Sequence, residues 1–292
     1  MSRPLPATTH RYPAGVPEPW RTILTLVAGA ITGVLSGMFG IGGAIVSNPA
    51  IRALGATPIE SVGSTLPSIM PSALSGALRY HREGLLRTRV VAVVGLTGAV
   101  ASVGGSLLTR VVPDARLLTL GVAALMVYTA VRTGLSGHEV VVRETAAEKA
   151  PVGSGPAAAI PPDRPPPPRE PVWLLGCIGV VAGLFSGLLG IGGGLLMVPA
   201  FRSLVHLELK ETLGTSLACV GIIAIPGTVT HALLGHVNWA FAVPLSIAVI
   251  PGARLGAHLA IGASERALRL SVAWVLAVVA VVYGTSEIVA LL

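Results

Sequence analysis

Long uncharged, apolar runs alternate with short charged connections over most of this chain. A membrane-spanning helix needs about 20 apolar residues at 1.5 Å of rise each. One set of runs precedes a proline-rich stretch and an equivalent set follows it, so the pattern predicts an all-α integral membrane protein with four apolar segments per half. The runs are residues 22–51, 61–78, 90–109, 117–131, 172–201, 212–253 (long enough for two spans with a turn near 236–238) and 270–286.

Composition supports the same class by exclusion. Hydrophobic residues make up 52% and charged residues 11% of the 292 positions, whereas soluble domains carry about 25% charged residues. The chain therefore has too little polar surface for a soluble globule, and disordered, fibrous and disulfide-rich classes are excluded as well. The net charge of +7 does not indicate nucleic acid as a partner, because the basic residues lie between apolar runs, where membrane proteins carry topology signals.

The two sets of runs are copies of one sequence. Residues 29–51 and 179–201 are identical at ten of 23 positions, and the match continues in order over roughly 90 residues. Secondary transporters are commonly built from two such repeats, with the substrate at their interface near mid-membrane. The sequence predicts four regions: a polar N-terminal tail (1–21), a first transmembrane repeat (22–135), a proline-rich linker (136–171) and a second transmembrane repeat (172–292).

The first apolar run of each repeat contains a glycine cluster, at residues 40–43 and 190–194. A straight helix of this length would span about 45 Å, longer than the ~30 Å hydrocarbon core, and each interior glycine costs about 1 kcal/mol relative to alanine. We therefore predict a broken first segment in each repeat. The N–H groups that start the helix after a break suit an anion. Helix packing is the alternative role, and it fits the four-residue spacing of Gly29 and Gly33.

Arginines indicate how the two repeats are oriented. Four of them, at positions 79, 82, 87 and 89, lie between the second and third runs, whereas the matching connection, residues 231–238, has neither Lys nor Arg. The positive-inside rule places the first connection in the cytoplasm and leaves the second free to lie outside. The repeats are then inverted, each first run forms a re-entrant hairpin with arms of about 14 residues, and both chain ends lie outside. One long broken helix per repeat, with parallel repeats and cytoplasmic ends, is the alternative.

A few polar residues lie inside the runs. Arg254 is expected to contact an anion, because an arginine within a span costs at least about 3 kcal/mol unless it faces a cavity or a partner, and its planar fork suits a sulfonate. Snorkelling to the membrane surface is the alternative. Thr65 and Ser216 occupy equivalent positions, where they either serve the site or bond their own helix. His231, whose equivalent is Tyr80, is expected to be structural.

On these residues the chain resembles the TauE/SafE family of sulfite and organosulfonate permeases. The resemblance rests on the doubled Gly-x-x-x-Gly-x-x-Gly-x-Gly-Gly element, the Pro-Ala pair after it, and the Gly-Thr/Ser-Ser segment of the next helix. It implies a multi-pass secondary transporter in the prokaryotic inner (plasma) membrane that exports a small organosulfur anion, such as sulfite or a sulfoacetate-like sulfonate. Asn48 departs from strict symmetry, because the second repeat has Val198 there.

The predicted site lies between the repeats and includes no catalytic residue, cofactor or metal. Paired intramembrane carboxylates, His/Cys metal spacing and a Ser-His-Asp set are all missing from the sequence, so no enzymatic activity is expected. A passive anion channel or a non-transporting membrane scaffold is the alternative function, while proton or sodium coupling and a homodimeric state stay open. The predicted substrate-binding residues are Ser36, Gly40, Gly42, Gly43, Asn48, Thr65, Ser186, Gly190, Gly192, Gly193, Gly194, Ser216 and Arg254.

Overall fold

A computed structural model describes residues 18–109 and 170–264, together with isolated helical positions between 266 and 278. All regular structure in this part of the chain is helical, which confirms the predicted all-α class. Most of the predicted tail, the fourth segment of the first repeat, the linker and most of the last segment lie outside the described residues. The helices are α1 (Glu18–Phe39), α2 (Ala44–Ala53), α3 (Pro58–Arg82), α4 (Thr88–Leu108), α5 (Val172–Leu189), α6 (Gly194–Ser203), α7 (Leu209–Leu233) and α8 (Trp239–Gly262).

Five of these helices are long and apolar enough to cross a membrane: α1 from Pro19 onward, α4, α5, α7 and α8. The predicted turn at residues 236–238 coincides with the connection between α7 and α8. Helix α3 has 25 residues and buries a series of serine and threonine side chains, which lowers its hydropathy. It packs against both α7 and α8, so its polar face is covered by protein rather than by lipid.

The equivalent glutamates in the first turns of α3 and α7 have different partners: one caps its own helix, and the other forms an ion pair with the other repeat. Thr57 and Glu60 form a capping box at the start of α3: the Glu60 carboxylate accepts from Thr57 N–H at 2.9 Å, and Thr57 Oγ1 accepts from Glu60 N–H at 3.3 Å. The equivalent Glu211 instead accepts from Arg87 Nη2 at 2.8 Å. This ion pair joins α7 to the connection before α4, so it links the two repeats.

Helices of one repeat pack most extensively on helices of the other. The α1–α8 and α4–α5 pairs are the largest helix interfaces among the described residues. Gly29, Gly33 and Gly37 approach Leu245, Val249 and Ala253 in turn, so α1 and α8 run parallel. A methyl group at Gly33 would lie 2.5 Å from the Val249 carbonyl oxygen, which confirms the packing role that its four-residue spacing indicates.

Equivalent helices α3 and α7 lie side by side in opposite directions. Tyr80, near the end of α3, packs against Gly214, near the start of α7. Leu66, nearer the start of α3, lies by Gly227, toward the end of α7. A twofold rotation that relates antiparallel partners must have its axis across the helices rather than along them.

The chain folds back on itself after α1. Helix α3 runs parallel to α8, because Ser75 Oγ donates to Ile250 O at 2.9 Å and Arg79 Nη2 lies 3.5 Å from His258 Nδ1, eight residues further along. Since α1 is also parallel to α8, the chain must return between α1 and α3. Gly43 lies against Thr32, seven residues before the end of α1, so α2 returns alongside α1. The arms, of 22 and 10 residues, are unequal, unlike the two equal arms expected from the sequence.

Candidate functional site

Two glycine loops lie at the centre of the molecule. We call residues 40–43 the first glycine loop and residues 190–193 the second. Gly42 and Gly192 have φ angles of 82° and 76°, in the left-handed region that side chains other than glycine rarely adopt. Each loop ends a long helix and starts a 10-residue helix. The glycine clusters therefore break the helices at the positions where the sequence places them.

The two glycine loops lie against each other. A methyl group at Gly42 would come within 2.7 Å of Val220 Cγ1, and one at Gly192 within 2.9 Å of the same atom, with Ile69 beside both. Gly194, the first residue of α6, packs against Gly40 and its neighbour in the first loop. Both loops are buried, so a side chain larger than hydrogen has no room where they meet.

The N-termini of α2 and α6 both start at this point, and neither receives a side-chain cap. Helix N-termini carry free N–H groups and about half a positive charge each. Two such ends lie close together here, because Gly194 at the start of α6 contacts the loop that precedes α2. An anion between them would accept from N–H groups on both sides.

Hydroxyl groups of each repeat bond the glycine loop of the other. Ser216 Oγ donates to Gly40 O at 2.8 Å. The equivalent Thr65 Oγ1 lies 3.4 Å from Gly190 O and donates at the shorter distance of 2.8 Å to Asn48 Oδ1. Asn48 Nδ2 in turn donates to Leu189 O at 3.5 Å. The structure thus brings the predicted site residues Asn48, Thr65 and Gly190 together in one group, and Ser216 together with Gly40.

Two ring side chains at equivalent positions bond the ends of the broken helices. Tyr80 Oη donates to Gly37 O at 2.9 Å, and His231 Nε2 lies 2.8 Å from Gly187 O. A carbonyl oxygen only accepts, so His231 carries its proton on Nε2. The sequence assigns His231 a structural role without identifying its partner. The sequence does contain a sign of this shared role, because both repeats have a ring side chain that can donate a hydrogen bond at the same aligned position.

Three buried hydroxyl groups around the loops have no hydrogen-bond partner among the described residues: Thr32 Oγ1, Ser47 Oγ and Ser186 Oγ. Their side chains are at most 1% exposed. Thr32 packs on Gly43, Ser47 lies in the first turn of α2, and Ser186 lies in the last turn of α5. A buried hydroxyl without a partner costs about 1–3 kcal/mol. These three groups can therefore still donate a hydrogen bond to a ligand beside the loops. Ser36, the equivalent of Ser186, accepts from Ser72 at 2.9 Å instead.

The structure does not show Arg254 in contact with the glycine loops. Its neighbour Ala253 packs on Gly37, whereas the Arg254 side chain is exposed and lines a cavity between α3 and α8. Arg79 and Arg82 line the same cavity. Its predicted contact with a substrate at the centre therefore stays a prediction.

Comparison with known proteins decides the family. A family model described as sulfite exporter TauE/SafE matches residues 25–283. The chain belongs to the TauE/SafE family. The matched range includes both glycine loops and nearly all of the described helices, so the resemblance drawn from the glycine motifs is confirmed.

Relatives of this TauE/SafE protein are named as transporters. The probable membrane transporter protein YunE of Bacillus subtilis is 24% identical over 280 residues, which cover 90% of this chain and 95% of YunE. A probable membrane transporter protein of Xylella fastidiosa is 25% identical over 247 residues, with 82% and 84% covered. The probable membrane transporter protein YjnA of Bacillus subtilis is 25% identical over 264 residues, which cover 88% of this chain and 97% of YjnA. No solved structure matches the chain.

Family and candidate spans together establish the class. The described residues contain five helices that could cross a bilayer, and relatives matched along almost their whole length are named as membrane transporters. The chain is therefore a multi-pass membrane transporter.

Proposed function

We propose that this protein is a secondary transporter that exports a small organosulfur anion, such as sulfite or a sulfoacetate-like sulfonate, across a prokaryotic inner membrane. The observation that carries the proposal is the approach of two uncapped helix N-termini at a buried centre. Two positive dipole ends in a low-dielectric interior repel each other. A bound anion removes that repulsion, and it binds in a conformation in which the two loops lie further apart than they do here.

The proposed ligand set combines backbone and side-chain donors. N–H groups of the glycine loops and of the first turns of α2 and α6 face the anion, and the unpartnered hydroxyls of Ser47 and Ser186 donate to its oxygens. The oxygens of sulfite or a sulfonate accept several hydrogen bonds, so neutral N–H and O–H donors can bind the anion without a charged side chain. The absence of a fixed central cation in this scheme suits a substrate that must leave again.

The proposed mechanism is alternating access between inverted repeats. Its support is the antiparallel α3–α7 pair and the hairpins formed by α1 with α2 and by α5 with α6. Each hairpin is covered by a helix of the other repeat, so a rocking motion of one repeat opens the centre to one side at a time. The closely packed loops then correspond to a closed conformation.

Counterflow in proteoliposomes tests the proposal. Vesicles containing the purified protein are loaded with unlabelled sulfoacetate or sulfite, and uptake of the labelled anion is followed against sulfate and taurine as competitors. We expect transient accumulation of the labelled organosulfur anion above equilibrium, which only an exchanging carrier produces. Simple equilibration without overshoot would indicate a channel, and no flux with any of these anions would indicate a scaffold; either result contradicts the proposal.

A substitution in the second loop tests the site itself. Gly192→Leu places a side chain against Val220 and Ile69 at a φ of 76°, and we expect counterflow to be abolished while the protein still inserts in the membrane. Gly235→Leu is the matched control, because Gly235 has a φ of 73° but nothing within 4 Å of its would-be methyl group. It carries the same backbone strain without the crowding and should retain transport. Equal loss in both variants would assign the effect to backbone strain alone.

A further inference from the structure

A cavity of about 210 Å³ lies between α3 and α8, away from the glycine loops' own contacts. Three of the five residues that line it are arginines: Arg79, Arg82 and Arg254. Only one carboxylate is paired with them in the part of the chain that is described: Glu83 lies 3.1 Å from Arg79 Nη2. The residues around the cavity therefore carry a net positive charge.

Arg79 is the most constrained of the three arginines. Its Nε is buried, and no acceptor lies within hydrogen-bond distance of it among the described residues. Its Nη2 approaches both Glu83 and the ring of His258, so the guanidinium is held in one place. A guanidinium held in one place is suited to a phosphate or carboxylate oxygen.

The rim of the cavity is apolar and faces the bilayer. Leu78, which lines the cavity, is 45% exposed, and Leu255, next to Arg254 in the chain, is 52% exposed. Leu74 and Leu259, one helical turn away on α3 and α8, are also exposed. In a membrane protein such leucines contact acyl chains. A ligand here therefore lies near both arginines and exposed leucines.

We propose that this cavity binds the phosphate of an anionic glycerophospholipid in the cytoplasmic leaflet. The arginines accept the phosphate charge and the acyl chains lie along Leu78 and Leu255. The cavity has the volume of roughly seven water molecules, which suits a phosphate with its adjoining glycerol but not a whole lipid. Basic pockets between spanning helices on the cytoplasmic side are where such headgroups bind, and the arginine-rich connection after α3 assigns that side. The site is independent of the proposed central anion site.

Native mass spectrometry of the delipidated, detergent-purified protein tests this proposal. Phosphatidylglycerol and phosphatidylcholine are titrated separately, and the lipid-bound fraction is measured for the wild type and for Arg82→Gln/Arg254→Gln. We expect the double substitution to weaken phosphatidylglycerol binding by about 10- to 30-fold, since each basic residue near an anionic surface contributes close to fivefold. Arg254→Lys should retain most of the binding, because it keeps the charge.

Arg89→Gln is the matched control. Arg89 is exposed in the same arginine-rich region but does not line the cavity, so its loss should change lipid binding less than twofold. Equal weakening in the control, or equal binding of both lipids by the wild type, would overturn the proposal. Displacement of the bound lipid by free sulfoacetate would also overturn it and would assign Arg254 to the transported anion. Because binding is measured without flux, failure here is distinct from failure of the transport proposal.

Discussion

Ser186 carries a buried hydroxyl group that destabilises the fold and that the proposed function assigns to the transported anion. Its hydroxyl is fully buried and has no partner among the described residues, although its equivalent Ser36 accepts from Ser72. An unpartnered buried hydroxyl destabilises a structure relative to a methyl-sized side chain. A group that does not stabilise the resting conformation is free to bond a ligand.

Ser186→Ala is therefore expected to separate stability from transport. The free energy of unfolding should stay the same or rise, because a buried polar group is removed, while the half-saturating substrate concentration in counterflow should rise about tenfold through loss of one hydrogen bond to an anion. Ser203→Ala, which removes an exposed hydroxyl bonded within its own helix, is the control. A fall in stability with unchanged half-saturation would show that Ser186 is structural.

Tyr80 and His231 have the same structural role, although one donates from a phenol and the other from an imidazole. Each bonds the carbonyl of a glycine one turn before its loop, Gly37 or Gly187, where the helix end would otherwise leave acceptors unpaired in the interior. We expect Tyr80→Phe to lower the free energy of unfolding in mixed detergent by about 1 kcal/mol. Thr230→Val removes a hydroxyl that bonds only within its own helix and should cost less. A similar loss in both variants would argue against a special role for the Tyr80 bond.

At the scale of elements, sequence predicts where helices stop better than where they turn. Glycines four residues apart predict helix packing, whereas clustered glycines predict a helix break. The breaks at residues 40–43 and 190–193 follow from the cost of placing several glycines in a helix interior. The fold-back of α2 along α1 depends on Gly43 meeting Thr32, a contact for which the apolar pattern has no signal. The same holds for Arg254: hydropathy detects that it is costly, but the cavity beside it requires α3 as a neighbour.

Labelling of two equivalent positions tests the orientation of the repeats. After replacement of Cys177 and Cys219 by alanine, Arg82→Cys and Leu233→Cys place single thiols at the ends of α3 and α7, where both native residues are exposed. We expect a membrane-impermeant thiol reagent to label position 233 on intact cells and position 82 only after lysis, because only the connection after α3 is rich in arginine. Labelling of both positions from the same side would favour parallel repeats.

At the scale of the whole molecule, the described helices of each repeat pack mainly against helices of the other repeat and not against those of their own. Helix α1 lies along α8, and α4 lies along α5, so the largest interfaces join residues far apart in sequence. Duplication predicts two similar units, but it does not say whether each completes its own packing. The glycine ridges could have served either arrangement, and only the matched spacing of Gly33 with Val249 and of Gly183 with Gly98 decides it.

This packing between the repeats predicts that neither repeat is stable alone. Chains 1–150 and 151–292, which divide the predicted linker, should each be degraded when expressed singly, because α1 and α5 lose the helices that cover them. Coexpressed, they should copurify and recover counterflow. The measurement is pull-down through a tag on one fragment, with the Gly33→Leu fragment as control, since a side chain there overlaps α8. Accumulation of either fragment alone in a monodisperse form would contradict the prediction.

The antiparallel pairing of α3 with α7 also bears on how such a molecule arises. A gene for a single repeat makes a product that must pair with a copy inserted upside down, so its ancestor would have needed to enter the membrane in both orientations at similar frequency. Fusion removes that need, and each copy is then free to evolve a fixed orientation. Fixed, opposite orientations would leave such a difference as that between the arginines at 79, 82, 87 and 89 and their absence from residues 231–238. Lipid binding at two of them, Arg79 and Arg82, would then be a later use of charges first selected for insertion.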